Sequence, residues 1–151
     1  LACQDRSHMD RLTPERRSAN MRAIRSHDTK PELVVRKSLF RLGYRFRVNF
    51  RAAPGSPDIA FPGRKKAIFV HGCYWHRHPG CPKAYMPKSR QEFWSAKFEQ
   101  NVSRDSRKLR QLIDAGWAAL VVWECEAVEG DSLRQRLTDF VGPTRIRLAS
   151  S

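Results

Sequence analysis

The sequence lacks long apolar runs and is poor in acidic residues. No apolar stretch approaches the about 20 residues that a membrane-spanning helix requires, and no segment has the pattern of a signal peptide, so we expect neither. Only 15 of the 151 residues are acidic, against 29 lysines and arginines, which gives a formal net charge of +14. Such a charge is typical of a protein that binds a polyanion, most often nucleic acid, although a basic, well-solvated surface also explains it. A membrane surface is disfavoured because no stretch pairs a basic face with a long apolar one.

Cysteine is scarce, and its pattern argues against a disulfide framework. Cys3 lies in a segment that reads like an expression-vector junction, "RSHMD" included. We therefore expect residues 1–8 to be vector-derived, Met9 to be the natural start, and residues 9–151 to form one domain with a basic N-terminal arm over about 9–28. The other cysteines are odd in number and have histidines among them, which favours metal or thiol chemistry in a reducing compartment: Cys73, Cys81 and Cys125.

Three segments carry helix signals. Capping boxes at Thr29–Glu32 and Ser89–Glu92 predict helices that begin there and end near Gly43 and Gly116. A third helix is predicted over residues 132–141. The apolar positions predicted to face the core are, in chain order, Leu33, Val34, Phe40, Leu42, Phe98, Val102, Leu109, Leu112, Ile113, Leu133, Leu137, Phe140 and Val141.

Four segments have the pattern of strands. "YRFRVNF" (44–50) alternates apolar and polar residues, and "DIAF" (58–61) and "AIFVHGC" (67–73) flank a turn, which predicts a hairpin. "AALVVWEC" (118–125) is almost wholly apolar, which predicts burial on both faces. The Pro- and Gly-rich segment up to about Lys88 predicts a loop. The order helix, three strands, helix, strand, helix therefore predicts an α/β fold, with a central mixed four-stranded sheet flanked by helices.

The loop after the third strand has the spacing of metal ligands. Cys73, His78 and Cys81 form the pattern C-x4-H-x2-C, and Cys125 ends the last strand. Three thiolates and one imidazole would complete a closed tetrahedral shell for structural zinc, which would pin this loop to the sheet. The alternative is three small buried cysteines beside a solvated histidine. The choice of His78 over His76 rests partly on spacing and partly on the resemblance given below.

Asp58 follows Pro57 at the start of the second strand, where an acidic residue either caps a turn or binds a cation. The Pro-Asp dipeptide and the order of helices and strands resemble the PD-(D/E)xK nuclease superfamily, a restriction-endonuclease-like core in which this aspartate binds magnesium. The (D/E)xK motif expected on the next strand is missing, and "FVHGC" (69–73) stands in its place.

A narrower resemblance is carried by motifs spread from about Asn20 to Cys125: "NMRAI", "HDTKPE", "GYRFRV", "PGSPDIAF", "IFVHGCYWHRH", "EFWSAKFEQNVSRD" and "GWAALVVWEC". Together they resemble the very-short-patch repair endonuclease family. The resemblance implies a magnesium-dependent hydrolase that nicks duplex DNA 5′ of the thymine in a T:G mismatch, which arises when 5-methylcytosine deaminates. It also implies a bacterial cytoplasmic enzyme at the nucleoid, which we expect to be monomeric and to work with mismatch-repair helper proteins.

The resemblance assigns the catalytic groups position by position. Asp58 would bind magnesium together with the backbone carbonyl of Val70, where the family has threonine, and His76 would activate the attacking water. Histidine, with an unperturbed pKa of about 6.5, suits a base near neutral pH, and a carboxylate suits magnesium. The supporting polar groups would be His71 and Asp105 near the scissile phosphate and Glu32, which would order metal-bound water. The alternative for both histidines is a loop residue without a catalytic role.

Aromatic residues in and after the loop are assigned to DNA binding. The resemblance places Tyr74, Trp75 and Trp94 in a wedge that enters the duplex from the major-groove side, with Met21 on the opposite side. Inserted apolar side chains unstack bases, which costs least at a mismatch. The family has phenylalanine where this chain has Tyr74. Packing in a satellite core is the alternative for these rings.

Two further polar residues match base-contacting positions of the family, Lys97 and Asn101, although a solvated helix face explains them nearly as well. Trp117 and Trp123 are predicted to be core residues. Two other functions stay open beside the mismatch nuclease. One is a non-catalytic, zinc-stapled module that binds distorted DNA, and the other is a related nuclease with a different sequence or modified-base target.

Overall fold

The computed structural model describes residues 28–144. Over these residues it comprises three α-helices and a four-stranded sheet, with the bounds α1 (Lys30–Arg41), β1 (Arg47–Val48), β2 (Ile59–Phe61), β3 (Lys66–His71), α2 (Gln91–Asp114), β4 (Ala118–Trp123) and α3 (Asp131–Val141). None of these helices is both long enough and apolar enough to cross a bilayer. The predictions for the vector-derived segment, for the basic arm up to residue 27 and for Met21 lie outside the described residues.

The sheet has the order β1-β2-β3-β4 and mixes both kinds of pairing. β1, β2 and β3 form an antiparallel meander, in which Ile59 pairs with Ile68 across the β2–β3 hairpin. α2 then crosses over, and β4 pairs parallel to β3, with Val122 beside Val70. The predicted α/β fold with a mixed four-stranded sheet is confirmed.

β3 separates two hydrophobic clusters because its side chains alternate between the faces of the sheet. Ile68 and Val70 pack in the cluster formed with α1 and α3. Phe69 packs on the opposite face, in the cluster formed with Leu112 of α2. The same alternation turns His71, the last residue of β3, toward α2. A buried histidine is thereby delivered to the helix that carries Asp105.

The N-terminus of α1 is capped almost as predicted, but its buried face is different. Thr29 Oγ1 accepts a hydrogen bond from the Glu32 N–H, whereas the Glu32 carboxylate accepts one from the Asp28 N–H instead of from Thr29. The predicted core positions Leu33 and Phe40 are exposed, Phe40 to 76%. Val34 and Leu42 pack partly, as predicted. The fully buried face is instead formed by Glu32, Val35, Ser38 and Leu39. The apolar pattern misled because Glu32 itself is turned inward.

The start of α2 also differs from its prediction. Ser89 does not cap the helix. The residue before Gln91 is Arg90, which has a left-handed conformation with φ 54° and makes no side-chain cap. The capping-box pattern was therefore wrong here, and α2 begins one residue later than a helix capped by Ser89 would.

The buried stripe of α2 is partly polar. Phe98 and Leu112 are buried and Leu109 is partly buried, as predicted, but Val102 and Ile113 are exposed. Between Phe98 and Leu112 the helical period brings polar residues to the inner face: Asn101, Asp105 and Lys108. The prediction failed at two positions because it assumed an apolar stripe, whereas this part of α2 faces a polar site.

The remaining elements agree with the sequence to different degrees. β1 is shorter than predicted because Asn49 has a left-handed conformation, with φ 48°. In β4 only Val122 is buried, since this strand lies at an edge of the sheet in the described part of the chain. The predicted inward positions of α3 are confirmed, with Phe140 only partly buried: Leu133, Leu137, Phe140 and Val141.

Gly55 holds the turn before Asp58 against α2. Its φ is +77°, and a Cβ placed there would lie 2.9 Å from the backbone oxygen of Lys108. We expect Gly55→Ala to lower the free energy of unfolding by about 3 kcal/mol, since strain and a backbone clash add. Gly116→Ala is the matched control, because Gly116 has φ +87° but nothing within 4 Å of the added Cβ. It should cost about 1 kcal/mol, and equal losses in urea unfolding would contradict the close approach.

Candidate active site and metal-binding cluster

Asp58 lies at the end of β3 although it precedes β2. Because β2 and β3 are antiparallel, the start of β2 lies beside the last residues of β3. The Asp58 Oδ2 atom accepts a hydrogen bond of 2.7 Å from the Val70 N–H. The carboxylate and the Val70 main chain, which the sequence paired as magnesium ligands, are therefore in direct contact.

The environment of Asp58 disfavours its charged form. Burial raises the pKa of Asp58 from 3.8 to about 6, although the Val70 N–H lowers it, and the Glu32 carboxylate raises it further. Burial likewise raises the pKa of Glu32. Two partly desolvated carboxylates that repel each other form a site that a cation would stabilise.

Glu32 is held at this site by Arg36. The Arg36 guanidinium lies 3.1 Å from Glu32 Oε2 and 2.7 Å from Asp28 Oδ1. The Glu32 side chain is almost fully buried, so a fixed hydrogen-bond partner keeps its carboxylate in one orientation. The sequence did not predict this role for Arg36, although its spacing of four residues from Glu32 on one helix was a usable signal.

His71, His76 and Asp105 form one cluster whose ligand atoms all lie within 4.8 Å of one another. The turn after β3 brings the His76 ring over His71, so that the rings stack with centroids 4.1 Å apart and planes 6° apart. Asp105, from α2, lies 2.5 Å from His76 Nδ1. An ionised carboxylate only accepts, so Nδ1 carries the proton and Nε2 has a free lone pair.

The surroundings of His71, the more buried histidine of this cluster, lower its pKa. Burial lowers the pKa of His71 to about 4, and the charge of His76 lowers it further. His71 is therefore neutral at pH 7. A neutral ring can stack on His76 without like-charge repulsion.

The predicted zinc ligands are also brought together. Cys73, His78, Cys81 and Cys125 have ligand atoms that all lie within 4.8 Å of one another. His78 Nδ1 is 3.6 Å from the Cys73 sulfur and 3.3 Å from the Cys125 sulfur. His76, the alternative ligand, belongs to the other cluster. The set of three thiols and one imidazole fits a structural zinc ion.

The surroundings shift the pKa values of two thiols of this cluster in opposite directions. Burial raises the pKa of Cys73 to about 11, whereas the Lys83 N–H lowers the pKa of Cys81. The protein around Cys73 does not favour ionisation of its thiol. A bound zinc ion would displace the thiol protons and stabilise all three thiolates.

Trp123 connects the two clusters. Its ring stacks on His78, with centroids 4.4 Å apart, and meets His71 edge-on at 5.3 Å. The sequence predicted a core residue here and missed this position, because an apolar strand gives no sign that its last residue separates two sites. Lys108 was missed as well; its charge lowers the pKa of both Asp58 and His71, and its spacing of three residues from Asp105 was a signal.

The residues assigned to a wedge form one aromatic cluster. Tyr74 contacts Trp75, Trp94 and Phe98, with ring centroids 4.9, 6.3 and 5.3 Å apart. Trp75 and Trp94 lie 6.0 Å apart and are half-buried, so the cluster is neither a closed core nor fully exposed. The sequence missed two members of this cluster, Tyr85 and Phe93.

The two predicted base-contacting residues lie in different settings. Lys97 is exposed on α2. Asn101 donates a hydrogen bond of 3.2 Å from Nδ2 to the carbonyl of Trp75. Asn101 thus connects α2 to the loop through this hydrogen bond, and its contact with bases stays a prediction. Trp117 packs partly against the α2 cluster, 6.4 Å from Phe50, as predicted for a core residue.

Asp58 is expected to destabilise the fold at neutral pH in the absence of divalent cations. Because its pKa is about 6 in the folded state and 3.8 ordinarily, the folded state loses stability as pH rises from about 4 to 6. Asp58→Asn removes this effect and should raise the free energy of unfolding by up to about 3 kcal/mol at pH 7, with little gain at pH 4. Urea unfolding at both pH values measures it. Asp114→Asn, at an exposed position, controls for the lost charge, and an equal gain at both pH values would contradict the prediction.

Comparison with known proteins identifies the family. The family described as DNA mismatch endonuclease Vsr matches residues 9–83. The chain is 47% identical over 135 residues to the type II nicking enzyme V.XorIIP of Xanthomonas oryzae pv. oryzae, covering 89% of this chain and 98% of the relative. It is 41% identical to the type II nicking enzyme V.NmeAIP of Neisseria meningitidis (87% and 94% covered) and 43% identical to DNA mismatch endonuclease Vsr of Escherichia coli (83% of each). A chain that matches such relatives over nearly all of its length belongs to the Vsr family and is a DNA endonuclease that nicks its substrate.

Proposed function

We propose that this endonuclease nicks duplex DNA 5′ of the thymine in a T:G mismatch that arises from deaminated 5-methylcytosine. The observation that carries the proposal is the juxtaposition, at the end of β3, of Asp58, the His76–Asp105 pair and the aromatic cluster. The first two suit hydrolysis of a phosphodiester, and the third suits a weakened base pair. The name of the Escherichia coli relative, DNA mismatch endonuclease Vsr, supports a mismatch as the target. We place the enzyme in the bacterial cytoplasm at the nucleoid, as a monomer assisted by mismatch-repair proteins.

Asp58 and the Val70 carbonyl would hold magnesium, and Glu32 would orient water bound to it. The raised pKa of Asp58 beside Glu32 supports this assignment, because a cation would relieve both burial and repulsion. When bound, magnesium would neutralise negative charge that develops on the phosphate. The chain itself supplies the orientation of both carboxylates, through the Val70 N–H and Arg36.

His76 would act as the general base. Asp105 holds its Nδ1–H, so Nε2 can accept a proton from the water that attacks phosphorus as the bond to the leaving sugar oxygen breaks. Neutral, buried His71 would donate one hydrogen bond to a phosphate oxygen without adding a positive charge of its own. Lys108 adds positive charge near both Asp58 and His71.

The wedge would provide selectivity for a mismatch. Tyr74, Trp75 and Trp94 offer ring faces at the loop that also carries His76, so bases could stack on them while the backbone lies at the site. Unstacking a T:G pair costs less than unstacking a matched pair. The net charge of +14 would supply sequence-independent affinity for the phosphates.

A panel of duplexes tests the proposed target. With magnesium present, we expect the enzyme to nick a T:G duplex at least about 100-fold faster than the matched C:G or T:A duplex. In a matched duplex the enzyme must disrupt both stronger stacking and stronger pairing, and these two free-energy costs add. Asp58→Ala should lose at least about 100-fold in rate while it still binds DNA. Gel analysis of labelled strands gives the rate and the cut position.

The same panel includes methylated and hemimethylated duplexes, because two relatives are named type II nicking enzymes. Faster nicking of a matched or modified duplex than of T:G would replace the proposed target with a sequence- or modification-specific one. Equal rates for the enzyme and Asp58→Ala would reject the catalytic assignment.

Zinc and catalysis should be separable by two histidine variants. We expect one zinc ion per chain by mass spectrometry of the metal. His78→Ala should lose most of this zinc and unfold at a lower temperature, because the loop loses its anchor. His76→Ala should keep the zinc and the thermal midpoint but lose about 100-fold or more in nicking rate.

The two variants are matched controls for each other, since each replaces a half-buried histidine of the same loop. Loss of zinc in His76→Ala together with retention in His78→Ala would reverse the assignment. A protein free of zinc that folds and nicks normally would remove the zinc site altogether.

A further inference from the structure

Arg77 ties together the loop that carries the wedge. Its guanidinium donates to the carbonyls of Tyr74 at 3.2 Å, Ala84 at 2.7 Å and Tyr85 at 3.0 Å. These carbonyls belong to the two arms of the loop, before and after the zinc ligand Cys81. One side chain therefore closes the arms on each other with three hydrogen bonds, and two of them end on residues of the aromatic cluster.

The same guanidinium lies on the aromatic rings. Its central carbon is 3.9 Å from the centre of the Phe98 ring and 5.7 Å from the centre of the Tyr74 ring. Phe98 is buried on α2 and also contacts Tyr74 and Trp94. Arg77 thus fixes the loop to the helix as well as closing it. A planar group with several donors can stack and bind carbonyls at once, which a lysine ammonium cannot do.

Arg77 has a left-handed backbone conformation at the turn between the two clusters. Its φ is 57°, a left-handed conformation that is unfavourable for a residue with a side chain and easy for glycine. The turn is bounded by hydrogen bonds of 3.1 Å from the His76 N–H to the Gly72 carbonyl and 3.0 Å from the His78 N–H to the Cys73 carbonyl. Arg77 sits between a residue of the catalytic cluster and one of the metal cluster, and its side chain points to a third group, the rings.

We propose that Arg77 is a positioning residue that holds the rings of Tyr74 and Trp75 in the arrangement that enters a mismatched duplex, and so sets discrimination between mismatched and matched DNA. This inference rests on the proposed function, since it requires a wedge. Arg77 need not contact DNA itself, because three of its five guanidinium N–H donors are used by the loop carbonyls. Without it, the loop would remain attached through the zinc ligands, but its two arms would no longer be closed on each other, and the ring contact between Tyr74 and Phe98 would lose the stacked guanidinium.

The test is base unstacking, measured by the fluorescence of 2-aminopurine placed next to T:G in the duplex at saturating enzyme. For Arg77→Met we expect less than half of the fluorescence increase seen with the unsubstituted enzyme. We also expect about tenfold weaker binding of the mismatched duplex, the loss of about one stacked base, and unchanged binding of the matched duplex. A merely structural loss would lower the fraction of active enzyme but would leave the signal per bound complex, and the ratio of the two affinities, unchanged.

Arg90→Met is the matched control. Arg90 also has a left-handed backbone (φ 54°) and lies over a ring, 4.6 Å from the centre of Phe93, but among the described residues its side chain donates to no loop carbonyl. It should weaken the binding of matched and mismatched duplexes equally and leave the 2-aminopurine signal intact. If Arg77→Met does not retain zinc, Arg77→Lys takes its place and should show the same loss, because lysine keeps the charge but not the planar group.

The outcomes separate the two proposals. If the unsubstituted enzyme neither nicks T:G nor raises the 2-aminopurine signal, the proposed function fails. If it does both and the Arg77 variants keep full signal and full discrimination, the positioning role of Arg77 is wrong.

Discussion

The pairing of β3 with β2 on one side and β4 on the other determines where the reactive groups lie. Because β2 is antiparallel to β3, its first residues, with Asp58 just before them, lie beside the last residues of β3. Because β4 is parallel to β3, its end, followed by Cys125, lies beside the same point. The chain leaves β3 at His71 and forms the Cys/His loop there. Groups that are far apart in sequence therefore meet at the end of β3. The hydrogen bond from the Val70 N–H to the Asp58 carboxylate joins two of the segments that meet there.

The two clusters at the end of β3 differ in the ligand atoms that they offer. The first cluster, His71, His76 and Asp105, offers nitrogen and oxygen ligands, whereas the second offers three sulfurs and one nitrogen. A hard cation such as magnesium would find unsuitable ligands in the second cluster. Trp123 stands between His71 and His78 and keeps the imidazoles of the two clusters apart. The two proposed tasks, structural for the Cys/His cluster and catalytic for the other, could therefore lie a few residues apart in one loop without competing for the same ligands.

The sequence predicted the order of elements, because strand alternation and glycine stops are local signals, and ligand spacing indicated the cysteines of the metal cluster. The place of Asp105 with the two other histidines, and in part the choice of His78 as ligand, came from the family resemblance instead. The prediction of the core failed where a polar residue takes an inward position. Leu33 and Phe40 were placed in the core because the inward Glu32 was not recognised, and Val102 and Ile113 because Asp105 and its neighbours use the inner face of α2. Arg77 could not be predicted at all. Its partners are carbonyl groups and a ring brought near by folding, and these leave no trace in the spacing of residue types.

The tight contact between Gly55 and the Lys108 backbone joins the segment before Asp58 to the helix that carries Asp105. The position of Asp58 relative to Asp105, which pairs with His76, therefore depends on this contact. The length of the turn before Asp58 cannot change without moving the two residues relative to each other. Divergence toward new recognition sequences would then have to be accommodated in parts that leave this frame untouched, such as the outer surface of α2 or the tip of the Cys/His loop. The residues proposed for catalysis and the surfaces proposed for DNA recognition could therefore evolve at different rates.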